Sequence, residues 1–598
     1  MRKQTKLVAV ASAAALLAAG ASMTSFAATG WVEEDGQWYF YDKDGNRVED
    51  EWKKSGDNWY WLDSEEGGAM AADKLVDDDD NYYYVDSNGV MVRNTWVKVI
   101  NEDQDDDEDP AEYNYYYMQS NGKAYKAGDN STTRFKTIDG KKYAFDEDGK
   151  MLYGWVYEDA TRATDDSDWE TATYYLGNWD DGAMKTGWQK INVYDEDEDD
   201  DMDYWFNFKS NGKKRFLEDA DEQVMEKKIN GKRYGFDSRG VMVSEWTEVA
   251  TTSAASTSTW KYYSDPEDGA RKTKGWFKVV APNEDNTFKD YGSDSFAATH
   301  ADDESEKWYY ADGDGNLARG EIKKIKGKYY GFWPDDGAKG GAMLTGLCAL
   351  EVEGDQIKSV IADDMDADDL DDCMDREGDF VGFGGPDSNE TLFYFGNDED
   401  SDGAMKTGAV TISLDGDSYS FQFSKAGGAE GKGRGLTGID DEKYVYKNGL
   451  KMRADSDEKY IVVYASGDTG DARAQVMEWD SSDLRALASE GSVGQNKDGD
   501  TVKAAIWAEG QMFPSEFYLL NTSGAIVKNK TAAKDGDDWY FYVDDKNIAM
   551  YTNSKTLKDD PSKGYIMDVN LENWKNWAPG VWPDEPEDGD EISLSFIE

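Results

Sequence analysis

One histidine, two cysteines and ten prolines in 598 residues remove much chemistry at the outset. With His300 alone, neither a His-based general base paired to a nucleophile nor a histidine zinc site can be assembled. Cys348 and Cys373 allow at most one bridge, and the sequence leaves both a pair and two free thiols open. So few prolines make no proline-rich linker. Basic residues are also scarce: 65 Lys and Arg stand against 125 Asp and Glu, a formal net charge of −60. That balance excludes nucleic acid and anionic membranes as partners, because phosphate contacts need clustered Lys and Arg. Past the N-terminus no stretch reaches the roughly 18 apolar residues of a membrane span. There is no nucleophile elbow or phosphate loop. The carboxylates sit in turns and low-complexity loops, where burial does not tune them for glycosidase work. The chain is therefore not expected to be an enzyme.

What the sequence does have is rings and glycine: 22 Trp, 37 Tyr, 22 Phe and 59 Gly. A chain this acidic without aromatics reads as disordered, so its charge decorates a fold built on rings. Its N-terminus reads as a leader over residues 1–27. Arg2, Lys3 and Lys6 precede the apolar Leu7–Ala21, and Ser25-Phe26-Ala27 offers a cleavage site. A secreted protein is expected.

A period of about 20 residues follows. Trp31 and Trp52 are 21 residues apart, as are Trp38 and Trp59. Each unit reads as a Trp-led strand, a tight turn, an aromatic strand, a second turn and a short run with Met or Gly. Turn pairs such as Asp35-Gly36, Asn88-Gly89, Asp139-Gly140, Asn211-Gly212 and Asn230-Gly231 mark hairpins, because they supply the positive φ of primed turns. A lone hairpin of this kind cannot bury both faces of its rings, so neighbours must stack. The expected fold is all-β: a solenoid of stacked β-hairpins with acidic loop insertions at 101–110, 195–203 and 281–307. The insertions read as solvated loops, and calcium is the one ion their carboxylates suit. No other cofactor is expected. The segments divide as follows: repeats over 28–347, an acidic divergent insert over 348–390, further repeats over 391–455, and a divergent segment over 456–516 with a short helix near Ser481–Ser489. Repeat hairpins then occupy 517–555 and an acidic tail 556–598.

In many units an aromatic stands seven residues before the glycine of the second turn, as Trp38 before Gly45, Tyr115 before Gly122, Trp205 before Gly212 and Trp308 before Gly315. Lys142 and Arg233 hold the same slot in two units, and Thr173 falls there in a third. Segments such as Gly182-Ala-Met184-Lys-Thr-Gly187-Trp188 and Gly231-Lys-Arg-Tyr234-Gly-Phe236 resemble the choline-binding, or cell-wall-binding, repeats of Gram-positive surface proteins, which are related to glucan-binding and clostridial-toxin repeats. The resemblance implies ligand grooves between consecutive hairpins, each made by the Gly-Trp ring, the first ring of Trp-Tyr-Tyr and a ring of the next repeat. Carried over by position, the groove residues are Trp31, Trp38, Trp52, Trp59, Trp96, Tyr115, Trp188, Trp205, Trp276 and Trp308. It further implies a surface protein held non-covalently on cell-wall or extracellular polysaccharide, choline-decorated or a neutral glucan. The alternative reading is an acidic spacer, or a protein-binding adhesin, whose rings are all solenoid core.

Overall fold

The structure is a computed structural model that describes residues 29–557 and 569–570, except 106–108, 129–131, 219–222, 250–258, 282–305, 335–339, 385–387, 399, 401, 427–430, 457, 470, 472, 480–484, 486–491, 496–498 and 507–515. The leader, most of the 281–307 insertion, the helix expected near Ser481–Ser489 and nearly all of the tail lie outside the described residues. Two compact units divide the chain after Lys272.

The first unit is a succession of antiparallel hairpins, nine among the described residues, from Gly30–Glu34 with Gln37–Tyr41 to Trp246–Val249 with Thr259–Tyr262. Their strands are β-prone ring clusters such as Gln37–Tyr41 and Asn81–Val85. Tight turns close them with two consecutive left-handed residues: φ is 53° and 84° at Asp35 and Gly36, and 49° and 92° at Asn230 and Gly231. This is the all-β, stacked-hairpin solenoid architecture that the period implies.

The second turn is built differently from the sequence expectation. Only its glycine is left-handed, so Asn88-Gly89 and Asn211-Gly212 are not primed hairpin pairs. In several units an Asp at its start folds the loop instead, as where Asp42 Oδ1 accepts the backbone N–H of Asp44 and of Asn46, each at 2.8 Å, while in the 209–213 turn Asn211 Oδ1 accepts from Lys213 at 3.2 Å. The hydrogen bond from the Asn46 backbone holds the Asp42 carboxyl below its usual range.

Stacking rests on one main-chain bond repeated along the unit. After its second turn each hairpin donates a backbone N–H to the carbonyl of the slot residue in the preceding hairpin. Met91 donates to Trp59 at 2.9 Å, Met151 to Tyr115 at 2.7 Å, Met184 to Lys142 at 2.9 Å, Lys214 to Thr173 at 2.8 Å and Met242 to Trp205 at 2.9 Å. The Met side chain then fills the space against the next hairpin's second turn. A Cβ at Gly182 would lie 2.3 Å from Met151 Sδ, and one at Gly212 would lie 2.4 Å from Met184 Sδ. Met and Gly of the repeat signature are thus two halves of one contact.

The second unit begins in the same way, with Gly275–Val280 against Glu306–Ala311 and Glu321–Ile325 against Lys328–Phe332. Met343 continues the seam by donating to Trp308 at 2.8 Å, and Met405 to Tyr329 at 2.8 Å. Residues 348–390, repeat-free in sequence, add the strands Leu347–Glu353 and Gln356–Ala362 and the helix Ala367–Asp375, whose N-terminus Asp366 caps. The helix lays Leu370, Cys373 and Met374 on the apolar cluster around Phe421 and Phe423. Cys348 and Cys373 are both free and buried, in separate clusters. Residues 456–516 and 517–555 share one eight-stranded sheet, in which Tyr460–Ser466 pairs with Phe517–Asn521. Among the described residues no helix is long and apolar enough to cross a membrane. Among them also, no group of three His, Cys, Asp or Glu side chains is placed to hold a metal ion.

Candidate ligand grooves

Strand register puts the Gly-Trp ring and the slot ring on one face. In the seventh hairpin Trp188 pairs with Asn207 and Lys190 with Trp205, so the two Trp are diagonal neighbours. In the tenth, Trp276 pairs with Tyr310 and Lys278 with Trp308, the same relationship. All ten rings placed in grooves by the sequence are half-buried, with one part packed and another open to water.

Two of the five predicted pairs close into a corner. Trp188 and Trp205 meet edge to face with centroids 6.4 Å apart and planes at 83°. Trp276 and Trp308 meet at 6.3 Å and 83°. Each corner gains a third ring from the next hairpin: Tyr234 lies 4.7 Å from Trp188, and Tyr330 lies 4.8 Å from Trp276. A stacked Phe backs each Gly-Trp ring, Phe236 at 5.7 Å and Phe332 at 5.6 Å. Both hairpins carry an insertion in sequence, and that of the seventh is not the expected loop: Asp195 and residues 200–203 extend its two strands, yet the two hairpins arrive at one geometry.

The other three pairs share the register but not the corner. Trp31 turns to Phe40 at 5.4 Å and Tyr60 at 5.3 Å, with its Nε1 buried and without a hydrogen-bond partner. Trp52 packs on Trp61 and, at 5.0 Å, on Tyr83, and donates its Nε1–H to Asp78 at 3.0 Å. Trp96 lies 4.9 Å from Tyr143. Their expected partners stand apart: Trp38 and Trp59 enter no ring pair among the described residues, and Tyr115 faces Trp179 at 6.5 Å.

The slot tryptophans of the closed corners are held by their edges. Trp205 Nε1–H donates to Glu267 at 3.2 Å, and Lys190 Nζ donates to the other oxygen of that carboxylate at 2.8 Å. Trp308 Nε1–H and Lys278 Nζ both donate to Asp400 Oδ1, at 3.0 and 2.9 Å. Both carboxyls are exposed, and the hydrogen bond from the lysine, then that from the indole, holds each below its usual range. The indole edge is thereby fixed while the ring stays half-exposed.

Elsewhere the chain supplies its own cation. Trp155 has Phe206 at 5.1 Å, but Thr173 occupies its slot, and Lys214 stands where Met184 and Met242 stand in neighbouring units. The Lys214 ammonium lies 5.2 Å from the Trp155 ring centroid and donates to the carbonyls of Trp169 at 2.6 Å and Glu170 at 2.8 Å. Burial pushes it down to about 7. Lys142 and Arg233 are exposed in their slots, as a cation among carboxylates should be.

The sequence reading expects a ring of the next repeat as the third wall of each groove but does not name it. In every case it is the residue after the slot in the next aromatic strand: Tyr60, Tyr83, Tyr143, Phe206, Tyr234 and Tyr330. Its signal was available, since each of these follows its slot residue directly. Glu267 and Asp400 had no such signal, because their approach depends on how turns two hairpins apart come together.

Comparison with known proteins finds a family match in one segment, which holds the Trp31 and Trp52 hairpins and neither closed corner. The family model of the choline-binding repeat matches residues 28–73. No curated protein matches the chain. Among solved structures, choline binding protein F from Streptococcus pneumoniae, in complex with ipratropium, is similar at 17% identity over 66% of this chain and 97% of that one, with a TM-score of 0.29. The modular autolysin LytC from the same organism is similar at 17% identity with a TM-score of 0.28, over 54% of this chain and 55% of the autolysin, so the likeness spans about half of that protein's length. The choline binding domain of Spr1274, also from that organism, reaches 28% identity over 16% of this chain and 95% of its own length, with a TM-score of 0.12. The chain resembles the choline-binding repeat proteins of Gram-positive surfaces, and residues 28–73 match their repeat.

Proposed function

We propose that this protein is a secreted, non-catalytic surface protein that binds choline-bearing cell-wall or extracellular polysaccharide through aromatic grooves between its hairpins. The observation that carries the reading is the paired corner: Trp188 with Trp205, and Trp276 with Trp308, at 83° in both cases, each completed by a tyrosine from the next hairpin. Three faces around one small space suit a trimethylammonium group, whose diffuse charge is drawn to ring faces and whose methyls fill the corner. Such contacts are worth about 0.5–2 kcal/mol per ring, which sets single-groove affinity at roughly millimolar. On a polymer displaying many such groups, successive weak sites combine through effective concentration. A net charge of −60 attracts a cationic headgroup and leaves a neutral glucan unopposed.

Retention on a choline resin, released by free choline, tests the reading. The chain is expected to be held, and Trp205→Ala with Trp308→Ala to be held much less, with the β-sheet circular dichroism unchanged. Passage of the wild-type chain straight through choline, glucan and purified-wall columns would favour the acidic spacer instead.

A further inference from the structure

We propose that the turn two hairpins downstream sets the charge preference of each groove, and that Glu267 and Asp400 make the two closed corners select a cationic headgroup over a neutral one of the same shape. The inference rests on the groove reading above and names what that reading leaves open, the group that discriminates. The two arrangements are independent of each other. Glu267 comes from the second turn of the ninth hairpin and reaches the seventh, while Asp400 comes from the turn after Glu390–Tyr394 and reaches the tenth. One is a glutamate and the other an aspartate, yet each binds the same two groups, the indole N–H of the slot Trp and the lysine opposite it on the neighbouring strand.

The same downstream turn supplies other chemistry in other grooves, from differing positions before its glycine. Asp148 accepts from Tyr82 Oη at 3.2 Å. Trp179 lies against Tyr115, and Lys432 sets its ammonium 4.8 Å from the Tyr329 ring centroid. That turn therefore supplies carboxylate, ring or ammonium in different units. The carboxylates anchoring an indole fall where a complete corner exists, and the ammonium falls where the first strand offers Ile322 instead of Trp. In the empty corner the lysine neutralises the carboxylate. A trimethylammonium entering between the rings places a second cation beside it, and the carboxylate then serves both. A neutral ligand draws nothing from this exchange.

The test measures binding of choline and of its neutral carbon isostere, dimethylbutanol, to the full chain at low ionic strength. The variants are the wild type, the double change Glu267→Gln with Asp400→Asn, and Glu267→Lys with Asp400→Lys. Each amide keeps one acceptor oxygen for the indole and removes the charge; at position 267 the lysine also loses its own acceptor, whereas at position 400 one oxygen already serves both donors. The expected result is choline bound about two- to fivefold more weakly by the amide variant, the range for one exposed charge contact, with a larger loss in the lysine variant. The isostere should be unaffected in the amide variant, and the choline difference should shrink in high salt. Unchanged choline affinity in the amide variant overturns the proposal, as does an equal loss for both ligands, which assigns the carboxylates to holding the indole alone. A wild-type chain that binds neither ligand refutes the groove reading itself, an outcome distinct from either.

Discussion

The indoles of Trp188 and Trp205 lie diagonally across one hairpin and meet at 83°, and their separation of 6.4 Å leaves a corner lined by two ring systems. Half-burial is common to all ten predicted rings, and what sets this pair and Trp276 with Trp308 apart is that the two tryptophans meet. Trp188→Ala therefore removes both a wall of the groove and the surface on which Tyr234 and Phe236 pack. It is expected to abolish binding at that groove and to cost about 2–4 kcal/mol of stability, at and below the low end for a fully buried large aromatic because Trp188 is half-buried. Trp205→Ala should abolish binding there at a smaller cost, measured by urea unfolding followed through circular dichroism.

The Met–Gly contact predicts a coupled pair. Gly212→Ala places a Cβ 2.4 Å from Met184 Sδ at a φ of +89°. The expected loss is about 2–4 kcal/mol, steric and conformational strain together. Combining it with Met184→Ala makes room for the methyl, so the double variant should be more stable than the sum of the single losses by at least 0.5 kcal/mol, the usual floor for coupled neighbours. Strict additivity in a thermal or urea double-mutant cycle would show that the two do not share one space.

Lys214 predicts a pH signature. Its folded-state value, about 7, lies below the usual lysine range because burial disfavours the charged form. Between about 7 and 10.5 the unfolded chain therefore binds the proton that the folded chain rejects, so this residue makes stability rise with pH in that window. Below about 7 both states are charged and the contribution is flat. Lys214→Met, which restores the residue found in neighbouring units, should flatten the slope of unfolding free energy against pH over pH 7 to 10 relative to the wild type. Identical slopes would place the ammonium in water.

The thiols give a simple check. Cys348 and Cys373 are free and buried, and burial raises both, Cys373 to about 12. Thiolate is the reactive form. A thiol reagent should label neither residue in the native chain within the time that labels both in denaturant, and a native disulfide would show as no labelling in either.

How much of this was legible beforehand follows from what is local. Hairpins at Gln37–Tyr41 and Lys232–Phe236 were readable because turn φ and strand pattern are decided within a few residues. The faces of Trp188 and Trp205 followed from alternation along paired strands. The second turns were misread because Asn88-Gly89 imitates a primed pair, while the Asp86 side chain, accepting from Asn88 and Val90, sets the actual loop. Corner closure was not legible at all: Trp31 with Trp38 and Trp188 with Trp205 share one diagonal register and one offset to the second-turn glycine, and only the latter pair has a distant carboxylate holding the slot indole. Residues 348–390 were passed over for the opposite reason, since their strands carry aliphatic runs such as Leu347–Glu353 rather than the ring signature.

The account turns on grooves that accept a ligand at the junctions of hairpins. The most direct measurement is the number of choline molecules bound per full-length chain at saturation, by equilibrium dialysis, for the wild type and for Trp205→Ala, Trp308→Ala and both together. The prediction is that each change removes one bound choline and that the double variant loses two, with circular dichroism retained. Wild-type stoichiometry in the double variant would contradict it.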